Sequence, residues 1–89
     1  MQALEETIAE RREHPREGSY TCELFAKGEV EILKKLGEEA VEVIVAASLQ
    51  DRERLVYESA DLVYHLLVAL AAKEIAWQDV EDELRRRFK

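Results

Sequence analysis

The sequence has little cysteine, proline or glycine. Its single cysteine, Cys22, excludes an internal disulfide and a multi-cysteine zinc site, and it fits a reducing compartment such as the cytosol. One proline and three glycines leave few helix breakers, and aromatic residues make up only 7 % of the chain. Alternating β-branched patterns are also scarce, so we expect an all-α fold.

Signals for a membrane or a nucleic acid are also missing. The chain does not start with the basic and then apolar segments of a signal peptide. Its longest unbroken apolar run, 66–72, is much shorter than the ~20 residues that span a bilayer. The net charge is −7, and no basic stripe is long enough to follow a nucleic-acid backbone. We therefore predict a cytoplasmic protein that binds neither membrane nor nucleic acid.

Helical periodicity divides the chain into five segments. The predicted helices are 2–13, 29–49, 53–72 and 77–88, and 22–27 is predicted to form a short turn. The first helix should end before Pro15, the short turn should be capped by Thr21 or Ser19, and Asp51 or Ser48 should cap at the central turn. At 89 residues the chain is expected to form one domain over 1–89. Gly37 inside the third helix predicts close approach of a neighbour.

The two central helices are apolar on more than one face. Between 41 and 47 only Glu42 is polar, and between 62 and 70 only His65 can carry a charge. A helix that is apolar nearly all round must be covered on every side, and the short flanking helices are too small to do this alone. We therefore predict a helical hairpin with flanking short helices, which dimerises into a four-helix-bundle core.

Two carboxylates interrupt these apolar stretches. Glu42 and Asp61 each follow another acid by three residues, Glu39 and Glu58 respectively, so each pair shares a helix face. An unpaired carboxylate is costly to remove from water, and such groups normally neutralise, pair or bind metal. An antiparallel hairpin brings the four to similar depth, where a hard cation would relieve their repulsion. The pattern therefore predicts a Mg²⁺ site built from carboxylate oxygens.

Other interpretations stay open from these residues alone. An acidic run is often only a solvated helix face, and a purely structural bundle would leave the acids without a cation. A di-iron site would also place acids between helices, but such sites normally include Glu-x-x-His, and neither histidine has glutamate three residues before it. His65 fits a core histidine bonded to a neighbouring carbonyl or carboxylate as well as it fits a substrate contact.

Three blocks of residues resemble the phosphoribosyl-ATP pyrophosphohydrolase family, which belongs to the all-α nucleotide pyrophosphohydrolase (MazG-like) superfamily. The blocks are Ser19-Tyr20-Thr21-x-x-Leu24-Phe25-x-Lys27-Gly28, then Ile32-Leu33-x-Lys35-x-Gly37-Glu38-Glu39-Ala40-x-Glu42, and then Glu58-x-Ala60-Asp61-Leu62-x-Tyr64-His65-Leu66-Leu67. The resemblance extends over nearly the whole chain. The acidic motifs are typical of the superfamily, whereas the Ser-Tyr-Thr and Tyr-His segments are typical of this member.

The resemblance implies an activity and a cofactor. The expected reaction is Mg²⁺-dependent hydrolysis of phosphoribosyl-ATP to phosphoribosyl-AMP and pyrophosphate, the second step of histidine biosynthesis. It implies a homodimer whose sites use residues of both chains. The family also occurs fused to a zinc-dependent cyclohydrolase, and with a single cysteine we expect the product to pass to a separate phosphoribosyl-AMP cyclohydrolase. The alternative is a house-cleaning nucleoside triphosphate pyrophosphohydrolase on the same scaffold.

The resemblance also implies roles for individual residues. Glu38 would orient or deprotonate the attacking water. The implied metal ligands are Glu39, Glu42, Glu58 and Asp61. The implied substrate-binding residues are Ser19, Tyr20, Thr21, Lys27, Lys35 and His65.

The segment between the last two helices departs from the pattern. Lys73, Glu74 and Ile75 include no glycine where one is expected, so we expect Glu74 to alter the geometry of this turn but not the site.

Overall fold

The computed structural model describes residues 1–88, and these form five helices without a strand. The helices are α1 (Gln2–Glu13), α2 (Tyr20–Lys27), α3 (Glu29–Leu49), α4 (Arg52–Ala72) and α5 (Trp77–Arg87). The predicted all-α class is confirmed. The short turn predicted at 22–27 is part of helix α2, which begins at Tyr20 because Ser19, and not Thr21, is the cap. The Ser19 hydroxyl accepts a hydrogen bond from Cys22 N at 3.2 Å.

Helices α3 and α4 form the hairpin that dominates the fold. Only Gln50 and Asp51 connect them, so they run antiparallel and pack side by side. Asp51 Oδ1 accepts a hydrogen bond from Arg54 N at 2.9 Å and caps α4. The Ser48 hydroxyl instead donates to the Ile44 carbonyl within α3. Of the two capping residues that the sequence offered, Asp51 is the one used.

The core lies at the end of the hairpin away from this turn. Its buried residues come from every helix except α5, whose Trp77 packs against the cluster from a partly buried position. Helices α1 and α2 thus cover the start of α3 and the end of α4. The cluster comprises Ile8, Leu24, Ile32, Leu67, Val68 and Ala69.

The hairpin has apolar side chains that nothing in the described chain covers. Val41 and Ile44 on α3 are 56 % and 64 % exposed, and Val56 and Tyr57 on α4 are 55 % and 58 % exposed. Helix α4 is also long and apolar enough to cross a membrane by length and composition alone. Core helices of soluble proteins meet the same criterion, so this is weak evidence for a membrane segment.

The structure shows the outcome of the predictions for the turn at Glu74 and for Gly37. Glu74 adopts φ = 59°, and it is the only non-glycine residue with positive φ in 1–88. The turn thus requires the left-handed conformation that glycine would supply more easily. A Cβ atom on Gly37 would have no heavy atom within 4 Å, so the prediction that Gly37 permits close approach is wrong within this chain.

Candidate metal centre

Glu39, Asp61 and His65 meet across the hairpin. One ligand atom from each of the three lies within 4.8 Å of the other two. Glu39 comes from α3, whereas Asp61 and His65 occupy successive turns of α4. His65 is buried, and Glu39 and Asp61 are half-buried. The Asp61 side chain is 38 % exposed, so the cluster can be reached from solvent.

His65 has a partner at each ring nitrogen. Its Nδ1 lies 2.8 Å from the main-chain oxygen of Asp61, and a carbonyl can only accept, so we assign the proton to Nδ1. Its Nε2 then accepts from the Tyr20 hydroxyl at 3.1 Å. Because both nitrogens are engaged, Glu39 and Asp61 are better candidates for metal ligands than His65. The structure favours the interpretation of His65 as a buried histidine that fixes its neighbours.

The electrostatics of Glu39 suit a cation. Burial raises the pKa of Glu39 above its usual value, and the negative charges of Asp61 and Glu58 raise it further, against the opposing effect of His65. A divalent cation between Glu39 and Asp61 would remove this repulsion and favour both ionised forms. Partly buried carboxylate oxygens on facing helices form a donor set that fits Mg²⁺.

The other two predicted ligands lie outside this cluster. Glu58 is buried and is paired with Arg54, whose Nη2 lies 2.7 Å from Glu58 Oε1. Glu42 is exposed on α3. The contact across the hairpin is therefore between Glu39 and Asp61, and the layer of four carboxylates is not closed in this structure. Ligation by Glu42 and Glu58 stays a prediction.

Of the predicted substrate residues, His65 belongs to the cluster, Tyr20 is hydrogen-bonded to His65, and Lys35 stands one turn before Glu39 on α3. Burial raises the pKa of Tyr20, the charges of Glu39 and Asp61 act in the same direction, and the positive charge of Lys35 opposes them. Lys35 Nζ is 3.9 Å from the carboxylate of Glu38, the residue predicted to orient or deprotonate the attacking water.

The remaining predicted substrate residues have other positions. The Ser19 hydroxyl is engaged in capping α2, and Lys27 is exposed at the last residue of that helix. The Thr21 hydroxyl is hydrogen-bonded to the Tyr64 hydroxyl. The Tyr64 ring also lies edge-on to His65, with ring centroids 5.0 Å apart. These contacts attach the start of α2 to the part of α4 that carries Asp61.

Tyr64 and Arg54 were not predicted as site residues. Tyr64 packs against the core, and its hydroxyl is hydrogen-bonded to the Thr21 hydroxyl. Arg54 stands four residues before Glu58, the spacing of a helical ion pair. That spacing was the available signal, but it is common on solvated helices and is not specific.

Comparisons with known proteins agree on one family. The family model described as phosphoribosyl-ATP pyrophosphohydrolase matches residues 1–88. The phosphoribosyl-ATP pyrophosphatase of Metallosphaera sedula is 52 % identical over 89 residues, which is 100 % of this chain and 96 % of the relative. That of Geotalea daltonii is 51 % identical over 88 residues, covering 99 % of this chain and 83 % of the relative.

A second kind of relative is longer than this chain. The histidine biosynthesis bifunctional protein HisIE of Pyrococcus furiosus is 54 % identical over 89 residues. The match covers 100 % of this chain but only 41 % of the relative. The chain thus spans most of the length of the single-function relatives and about two fifths of the bifunctional one.

Proposed function

The chain belongs to the phosphoribosyl-ATP pyrophosphohydrolase family, and we propose that it hydrolyses phosphoribosyl-ATP to phosphoribosyl-AMP and pyrophosphate in histidine biosynthesis. Two relatives about half identical to it, aligned over most of their own length, are named for this activity. The enzyme is accordingly a hydrolase of a phosphoanhydride, and the bond broken is the one between the α- and β-phosphates.

The observation that carries the proposal is the convergence of Glu39 and Asp61 with His65 across the hairpin. We propose that Mg²⁺ binds to these two carboxylates, with Glu42 and Glu58 as the further predicted ligands. When bound there, Mg²⁺ would polarise the phosphoryl oxygens and offset the charge of the departing pyrophosphate.

The chain's own residues supply the remaining chemistry. Glu38 accepts a proton from the water that attacks the α-phosphorus, and the bond to the bridging oxygen of pyrophosphate breaks. The ammonium group of Lys35 lies within 3.9 Å of that carboxylate and neutralises phosphate charge. The Tyr20 hydroxyl donates a hydrogen bond to His65 Nε2, so the Tyr20 oxygen remains free to accept a hydrogen bond from a substrate hydroxyl.

A second copy of the chain completes the proposed enzyme. The exposed residues Val41, Ile44, Val56 and Tyr57 all lie on the central hairpin, which would pack against the same hairpin of a partner. Covering them removes apolar surface from water at about 25 cal/mol for each Å². We therefore propose a homodimer with a four-helix core.

We also propose where the protein acts and which enzyme uses its product. The chain is acidic, with net charge −7, so we do not expect a nucleic acid as a partner. We propose that the protein acts in the cytoplasm, as expected for a histidine-biosynthesis enzyme. Its product would go to a phosphoribosyl-AMP cyclohydrolase. The single-function relatives support our proposal of a separate enzyme for that step, whereas the bifunctional relatives leave fusion as the alternative.

The competing proposal is a house-cleaning nucleoside triphosphate pyrophosphohydrolase. The test is pyrophosphate release with Mg²⁺ from phosphoribosyl-ATP and from a panel of ordinary and modified nucleoside triphosphates. Strong preference for phosphoribosyl-ATP, abolished by EDTA, supports the proposed function. Preference for another triphosphate supports the competing one, and activity that persists in EDTA contradicts the cation site.

A further inference from the structure

Glu58 is the only buried carboxylate in residues 1–88, with 4 % of the residue exposed. An ionised carboxylate in such a position is strongly destabilising unless a positive charge or several hydrogen bonds compensate it. Asp61 and Glu39 cannot compensate it because they carry the same charge, and the charge of Glu58 already acts to raise the pKa of Glu39. In the absence of a metal ion, Glu58 therefore needs a cationic partner from the chain itself.

Arg54 supplies that partner. Its Nη2 lies 2.7 Å from Glu58 Oε1, while the side chain is 51 % exposed and so reaches the buried carboxylate from solvent. Its guanidinium lies over the Tyr57 ring, with Cζ 4.7 Å from the ring centroid. Its main-chain N–H is held by the Asp51 carboxylate. The arginine thus contacts Glu58 and Tyr57 at the same time.

The pair conflicts with the proposed cation site. A guanidinium and a divalent cation repel each other, and the oxygen facing Arg54 cannot be fully available to both. The conflict rests on the proposed function, because it arises only if Glu58 serves the cation site. Either Glu58 is not a ligand, or Arg54 moves when the ion binds.

We propose that Arg54 is the counter-ion of Glu58 in the cation-free enzyme and that a divalent cation displaces it from the carboxylate. In this arrangement Arg54 keeps a buried carboxylate paired when no ion is present. It is a positioning residue, and it weakens cation binding by the free energy needed to separate the pair.

The first test is calorimetric titration of the full chain with Mn²⁺. Arg54→Gln should bind Mn²⁺ about five- to tenfold more tightly than the wild type, because no ion pair has to be broken. Arg52→Gln is the matched control. It removes the same charge from the exposed first residue of α4, and its affinity should match the wild type. Arg54→Lys keeps a charge near Glu58 and should remain within about twofold of the wild type.

Equal or weaker Mn²⁺ binding by Arg54→Gln would overturn the inference while leaving the cation site in place. A wild-type protein that binds no Mn²⁺ would refute the proposed cation site as well, so the two failures are distinguishable.

A double-mutant cycle in EDTA tests the pair without any metal. Melting temperatures are compared for the wild type, Arg54→Gln, Glu58→Gln and the double variant. Arg54→Gln should lower the melting temperature when Glu58 is present and have little effect when glutamine replaces it. The same loss in both backgrounds would show that Arg54 acts through Tyr57 alone and would contradict its role as counter-ion.

Discussion

Glu39 and Asp61 are candidate metal ligands because the fold holds two like charges close together and removes them partly from water. The acids stand out in the sequence because each lies beside a long apolar stretch. Which acids meet was harder to predict, since about 3.6 residues per turn places Glu39 and Glu42 nearly on one face and small rotations of α3 decide between them. The structure brings Glu39 to Asp61 and leaves Glu42 exposed.

The raised pKa of Glu39 predicts how stability depends on pH in EDTA. A carboxyl whose pKa is higher in the folded state stabilises the fold below its unfolded pKa, and this contribution is lost as the pH rises through the folded value. The melting temperature of the wild type relative to Glu39→Gln should therefore fall as the pH rises above about 4. A difference that does not change between pH 3 and 7 would contradict the raised pKa.

Glu42 provides a second prediction about a single side chain. As an implied metal ligand, Glu42→Gln should abolish turnover of phosphoribosyl-ATP while the dimer persists, as measured by pyrophosphate release and light scattering. Glu31→Gln on the same helix is a control that should retain activity. Full activity of Glu42→Gln at saturating Mg²⁺ would exclude Glu42 as an essential ligand.

Glu74 carries a backbone strain that can be relieved. A non-glycine residue in the left-handed region costs about 1 kcal/mol, whereas its ion pair with Arg12 is long and 80 % exposed on the Glu74 side. Glu74→Gly should raise the melting temperature by about 2–6 °C, as measured by thermal unfolding. Glu74→Ala, which keeps the Cβ, should give no gain. Equal melting temperatures for the glycine and alanine variants would show that the strain is negligible.

Among the helices, the elements with strong apolar periodicity were predicted almost to the residue. The ends of α3 matched, whereas α2 began earlier than expected because its cap is Ser19 and not Thr21, the other candidate. The contacts of α2 with α4, through Tyr20 with His65 and Thr21 with Tyr64, could not be predicted. They depend on how a short helix docks, which sequence periodicity does not specify.

The cap of α4 gives a prediction about element stability. Asp51→Ala removes the acceptor for Arg54 N and should lower the free energy of unfolding by about 1 kcal/mol, as measured by urea denaturation. Ser48→Ala is the matched control, since its hydroxyl bonds only within α3 and its loss should cost much less. Equal losses in the two variants would contradict the assignment of the cap.

The molecule as a whole has more apolar surface on its hairpin than two short helices can cover. The nearly continuous apolar runs in 41–47 and 62–70 predict this uncovered apolar surface. The sequence could not reveal which side chains stay exposed, because that depends on where α1 and α2 pack. In the structure they cover the end of the hairpin away from the turn, and Val41, Ile44, Val56 and Tyr57 remain exposed.

A charge on that surface should therefore prevent assembly. Ile44 is 64 % exposed, so Ile44→Glu is expected to fold but to behave as a monomer in sedimentation, with a lower melting temperature. Leu84→Glu places the same charge on α5 and should leave the dimer intact. A dimer of undiminished affinity in Ile44→Glu would exclude this face of α3 from the interface.

The most direct measurement is the rate of pyrophosphate release from phosphoribosyl-ATP at saturating Mg²⁺ by Asp61→Asn. Asparagine keeps the size of the side chain and removes the charge that faces Glu39. We predict that kcat/KM falls by roughly 10³-fold or more, the effect of losing several kcal/mol of charge stabilisation, while the variant remains folded. A folded Asp61→Asn protein with kcat/KM within tenfold of the wild type would show that the reaction does not depend on this cluster.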